Sequence, residues 1–179
     1  MRFNYWIGLL DETYLFLAVC CGLNLLFFYS WDSFGDSINT LVSIVLSSAI
    51  ILFPFIVTFL YGHPANLKRI LSRDANFMAR YGSAVSGLNF KRSGKNALIY
   101  LTVSIFRKLW LAHIVVFQQQ QQVFSIFQIN FQAILMMIVV GFTEPIVGKI
   151  EGRMNLVNEA FVLFITYHLY QFTEYMTDL

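Results

Sequence analysis

Charge is scarce in this sequence. Of its 179 residues only 12% are Asp, Glu, Lys or Arg, about half of the roughly 25% usual in soluble chains. Two long stretches, 13–31 and 38–62, contain none at all. A helix of a water-soluble domain keeps a charged face toward solvent, so that architecture is excluded. Cysteine is nearly missing as well. Cys20 and Cys21 are neighbours inside one apolar run, where they cannot bridge without distorting a helix and form no Cys-x-x-Cys metal spacing. There is no Asn-x-Ser/Thr acceptor, and Asp11 and Glu12 interrupt the short apolar stretch after Arg2, so no cleaved signal is expected. His63, His113 and His168 are scattered without ligand spacing, and no phosphate loop, Gly-rich nucleotide turn or Ser-His-Asp set occurs. Neither an enzyme nor a cofactor or metal site is expected.

Hydrophobic residues fill what charge leaves. They make up 58% of the chain, with 19 Phe and a mean hydropathy of +0.63. Each uncharged run can cross a ~30 Å hydrocarbon core at ~1.5 Å rise per residue. The acidic turn 32–37 between them makes a transmembrane hairpin. The fold expected is therefore all-α: a polytopic transmembrane helical bundle of four to five spans with a basic amphipathic cytoplasmic loop. The chain divides into an interfacial lead (1–12), the hairpin (13–62), the basic loop (63–95) and C-terminal transmembrane helices (96–179).

Residues 63–95 carry Lys68, Arg69, Arg73, Arg80, Lys91, Arg92 and Lys95 against Asp74 alone, while the rest of the chain is net negative. The positive-inside rule keeps such a loop cytoplasmic. Lys68, Arg69, Arg73, Lys91 and Arg92 are candidates for anionic lipid headgroups, a reading preferred to nucleic-acid binding. Leu67, Ile70, Leu71, Phe77 and Met78 have the periodicity of one interfacial helix there.

Within the spans, polar residues recur on helical faces. In the second, Thr40, Ser43, Ser47, Ile51, Pro54 and Thr58 make a stripe, and Ser43-x-x-x-Ser47 suits close helix packing. Asn96, Tyr100, Ser104 and Arg107 share a face of the third, 96–117. Arg107 and Lys108 there would each cost roughly 2.5–3.5 kcal/mol in a bilayer, so the segment either spans with partners or lies along the surface over 97–106. After the Gln tract 118–122, the fourth span, 123–142, carries Ser125, Gln128 and Gln132 on one face and ends at Gly141 and Pro145. The fifth, roughly 155–175, has Asn155, Asn158, Glu159, Thr166, Tyr170 and Thr173 on its inward side. The bundle-facing set is Ser43, Ser47, Tyr100, Ser104, Gln128, Gln132, Asn155, Asn158 and Thr166. An intramembrane charge is by default a functional candidate with a counter-ion, which pairs Arg107 or Lys108 with Glu159.

The run YGSAVSGLNFKRSGKNALIYLTVSIFRKLWLAHIVVF (81–117), then FQINFQAILMMIVVGFTEP (127–145) and NLVNEAFVLFITYHLYQFTEYMTD (155–178), resembles the C-terminal membrane region of a family of ciliate surface proteins. These are described as TRP-like, after the transient-receptor-potential channels. Asn155, Asn158-Glu159, Tyr167-His168, Phe172-Thr173 and Asp178 are the most specific matches. The resemblance implies a channel-like, oligomeric ion-conducting or sensing protein, with the plasma membrane favoured over an organelle inner membrane. Family members carry a long extracellular portion, so the resemblance also fits a short paralogue, a truncated gene or a small subunit. The alternative reading is a non-conducting membrane anchor or accessory subunit of a larger complex. The partners expected are the lipid bilayer and further copies or other membrane subunits, not nucleic acid.

Overall fold

The computed structural model describes residues 2–172. Among them there is no strand, only an isolated bridge between Leu88 and Ile146. Five long helices run up and down: α1 (Arg2–Phe27), α2 (Phe34–Gly62), α6 (Asn96–Phe117), α7 (Gln122–Thr143) and α8 (Lys149–Leu169). Between α2 and α6 lie the short helices α3 (Pro64–Leu71), α4 (Ala75–Tyr81) and α5 (Phe90–Ser93) with a 3-10 turn at Ser83–Val85. Among the described residues four helices are long and apolar enough to cross a membrane: α1 from Asn4 onward, α2, α6 and α7. Large apolar side chains such as Leu41, Val45, Leu52, Ile56 and Phe59 of α2 are exposed on the outside of the bundle. So wide an apolar exterior has lipid as its natural medium, and the chain is a multi-pass membrane protein.

The segments differ from the sequence expectations in instructive places. The interfacial lead is continuous with the first span, because no breaker separates Glu12 from Thr13 and the two acids sit within α1; Met1 lies outside the described residues. The basic loop holds several short helices rather than one, because the chain turns at Arg73, whose φ is +53°, and at Gly87, whose φ is +86°. Helix α7 passes through Gly141 and stops at Glu144, which adopts a left-handed conformation (φ 41°) before Pro145. The third segment is one helix within the bundle, packed against α1, α2 and α7. The last helix starts six residues earlier than expected, and Thr173, Tyr175 and Asp178 lie outside the described residues.

Helix α2 shows why these elements form. Ser33 caps it: its Oγ accepts from Asp36 N at 3.1 Å and donates to Asp36 Oδ2 at 2.6 Å, satisfying one of the free amides of the first turn. Pro54 lies inside the helix and has no N–H for the carbonyl of Ile50. Tyr14 of α1 supplies the missing donor, its hydroxyl donating to Ile50 O at 2.8 Å. The inward stripe follows 40, 43, 47, 50, 54, 57 and 61, where Thr40, Ser43, Pro54, Val57 and Tyr61 are buried. Ile51 and Thr58, expected in that stripe, are exposed. The observed alternation of three and four residues averages 3.5, the period of a left-handed packed pair.

The apolar core lies toward the basic end. There Ile70, Phe77, Val85 and Leu88 from the connecting segment pack with Tyr14, Val57, Tyr61, Ala97, Leu101 and Ile105. Tyr61 closes it by donating its hydroxyl to Tyr81 O at 2.6 Å, and Ser83 N donates to Asn4 Oδ1.

Candidate functional site

Helix α6 is central, and its two adjacent cations diverge. Successive helical residues point about 100° apart, so Arg107 and Lys108 face different neighbours. Arg107 Nη1 donates to Glu159 Oε1 of α8 in an ion pair that is largely shielded. Lys108 turns to α1, where its Nζ donates to Asp11 Oδ1 at 2.7 Å and to Asp11 O at 2.9 Å. Glu159 therefore serves Arg107 alone, and Asp11 is a functional candidate that sequence reasoning missed.

Depth explains both contacts. Counting from the helix ends at this side, Asp11, Arg107, Lys108 and Glu159 all lie roughly 14–18 Å along their helices at ~1.5 Å per residue. Glu159 reaches this level because α8 begins at Lys149, and Asp11 reaches it because α1 begins by Arg2. The missed signal was the length of α1: once 2–12 is helical, an acid stands opposite Lys108.

Other polar side chains pair across helices. Asn24 of α1 and Asn39 of α2 exchange two amide bonds of 3.0 Å each, and Asn24 Nδ2 also donates to Ser43 Oγ at 2.9 Å. Thr40 donates to Ser30 O at 2.9 Å. Trp110 Nε1 of α6 donates to Gln128 Oε1 of α7 at 2.7 Å, and Thr166 of α8 donates to Asn130 of α7. Gln132 is buried, although its Nε2 meets no protein acceptor, and the Ser47 hydroxyl is likewise buried without one. Tyr100, Ser104 and Asn155 are half-buried.

Asn158 departs from expectation: it is exposed. The side of α8 turned to α7 runs through Glu159, Val162 and Thr166, and Asn158 lies one residue, about 100°, away from that line.

At the basic end Lys68, Arg69 and Arg73 are exposed, whereas Arg92 is engaged by Glu144 at 2.6 Å. That pair is half-exposed on both sides, and such pairs contribute at most about 1 kcal/mol. The Lys91 side chain is outside what the structure describes. Among the described residues no three His, Cys, Asp or Glu side chains converge to hold a metal.

A groove of about 480 Å³ opens between α1, α2 and α6, lined by Gly22, Leu25, Ser47, Phe106, Trp110 and His113 among others. Gly22 lets α1 approach α6 there, since a Cβ would come 3.0 Å from Val116 Cγ2. Comparison of the chain with family models, with curated proteins and with solved structures finds no match to any of them.

Proposed function

We propose that this protein is a non-conducting, non-catalytic membrane subunit, an anchor or accessory component of a larger membrane assembly. The observation that carries the reading is the fate of its polar side chains. Arg107 with Glu159, Lys108 with Asp11, Asn24 with Asn39, and Trp110 with Gln128 pair inside a single copy, although Glu159 Oε2, Gln132 Nε2 and the Ser47 hydroxyl are buried without a protein partner. A conducting path would need such groups turned toward water or a passing ion. Here they hold helices together, as interhelical polar pairs do in lipid. The exposed Lys68, Arg69 and Arg73 then suit anionic headgroups on the cytoplasmic side.

The reading is tested by placing the purified chain in liposomes loaded with an ion-sensitive dye. Flux should not exceed that of protein-free vesicles at any imposed potential, while circular dichroism reports intact helix. Protein-dependent current that Glu159→Gln alters in ion preference would establish the channel instead.

A further inference from the structure

A cavity of about 400 Å³ lies at the basic end, between the end of α7, the start of α8 and the turn into α5. Backbone pairing builds its wall. Asn89 N donates to Pro145 O at 2.6 Å and Val147 N to Gly87 O at 3.0 Å, on either side of the Leu88–Ile146 bridge. Arg92, Lys149 and Arg153 line it, and Glu144 is the one acid in the lining. Arg92 already holds Glu144. Among the described residues neither Lys149 nor Arg153 is in an ion pair. Glu151 stands beside Gly148, so even with that acid counted one positive charge is left over. No side chain caps the first turn of α8 at Gly148, which also lines the cavity. Its amide donors and the positive end of the helix therefore add to the cations.

The rest of the lining is apolar: Val140 of α7, Ile146 and Val147 of the connection, and Leu156 of α8. A cationic half beside an apolar half fits an amphiphile with a negative head. The position of the cavity names the kind. Helix α7 is long and apolar enough to span and ends at Thr143, so the cavity straddles the level where hydrocarbon gives way to lipid phosphates. Basic pockets between membrane helices on the cytoplasmic side hold anionic headgroups, and a surplus of one positive charge matches one phosphodiester. We infer that this cavity binds the phosphodiester headgroup of an anionic glycerophospholipid, with Lys149 and Arg153 on the phosphate and the start of an acyl chain against Val140, Gly141 and Leu156. The site is separate from the exposed Lys68, Arg69 and Arg73, and it stands whether or not the chain conducts.

The full chain in non-ionic detergent micelles, titrated with phosphatidylglycerol or phosphatidylcholine and released intact in a mass spectrometer, should retain a single phosphatidylglycerol in preference to phosphatidylcholine. Lys149→Gln and Arg153→Gln should each weaken that retention about fivefold. Arg80→Gln, exposed at the same end but outside the cavity, should leave it unchanged. Gly141→Leu removes no charge, yet it should also weaken retention, because a Cβ there meets nothing within 4 Å and the larger side chain fills the apolar half. Circular dichroism on each variant separates misfolding from lost binding. Inorganic phosphate and glycerol 3-phosphate, which carry the charge without the chains, should not displace the lipid. Displacement by either would make this a site for free phosphate and overturn the inference. Equal retention of the two lipids, indifference to Lys149→Gln, Arg153→Gln or Gly141→Leu, or an equal loss from Arg80→Gln would overturn it as well.

Discussion

The two ends of the bundle are held by different forces. At the basic end Ile70, Phe77 and Val85 fold back over α1, α2 and α6 and bury an apolar core. At the opposite end the α1–α2 hairpin is joined by Asn24, Asn39 and Ser43, with Thr40 bonded to Ser30, while Phe27, Phe28, Tyr29 and Trp31 face outward. The contrast follows from what each end has to pack with. Residues 63–95 bring apolar side chains to the basic end, where their removal from water drives packing. The short turn between α1 and α2 brings no such cover, so close fit and polar pairing must hold the helices there. Gly22 against Val116 supplies the fit and Asn24 supplies the pairing.

That contrast can be broken by mutation. Phe77→Ala should cost most, about 3–5 kcal/mol, read as a lower midpoint when the protein is titrated with denaturing detergent in mixed micelles. Glu159→Leu comes next, because it strands Arg107 between the two ends; the loss should approach about 3 kcal/mol. Arg107→Leu added to it should recover much of that loss, whereas additive losses would mean that the two side chains do not depend on each other. Tyr14→Phe should cost about 1–3 kcal/mol by leaving the Ile50 carbonyl unbonded, and the cost should shrink in a Pro54→Ala background, where an N–H returns to the helix. Asn24→Leu should cost least, about 0.6 kcal/mol. If Asn24→Leu proved as damaging as Phe77→Ala, the two ends would not differ as described.

The sequence disclosed the helices more readily than their contacts. Uncharged runs are local signals, so the spans of the hairpin were legible, whereas the cap at Ser33, which starts α2 four residues before the expected 38, was not read. The need of Arg107 and Lys108 for counter-charges was also legible, since the cost of an unpaired cation in lipid is known in advance. Which acid met which cation was not, because that depends on where α1 and α8 begin. The registers of Ile51 and Asn158 were misread by a single residue, and one residue is about 100° on a helix. A stripe assigned from polar content alone drifts by that much within a few turns. The Tyr14–Ile50 bond joins residues 36 apart, and no periodicity points to it.

That bond also implies an order of events. A proline leaves a bare carbonyl facing the membrane interior, and in α2 the group that quenches it belongs to the preceding helix. Chains are made from the amino end, so Tyr14 leaves the ribosome before Pro54. The Ile50 carbonyl of α2 is thus bonded only with α1 beside it, which makes the hairpin, not the single helix, the unit expected to settle in the bilayer.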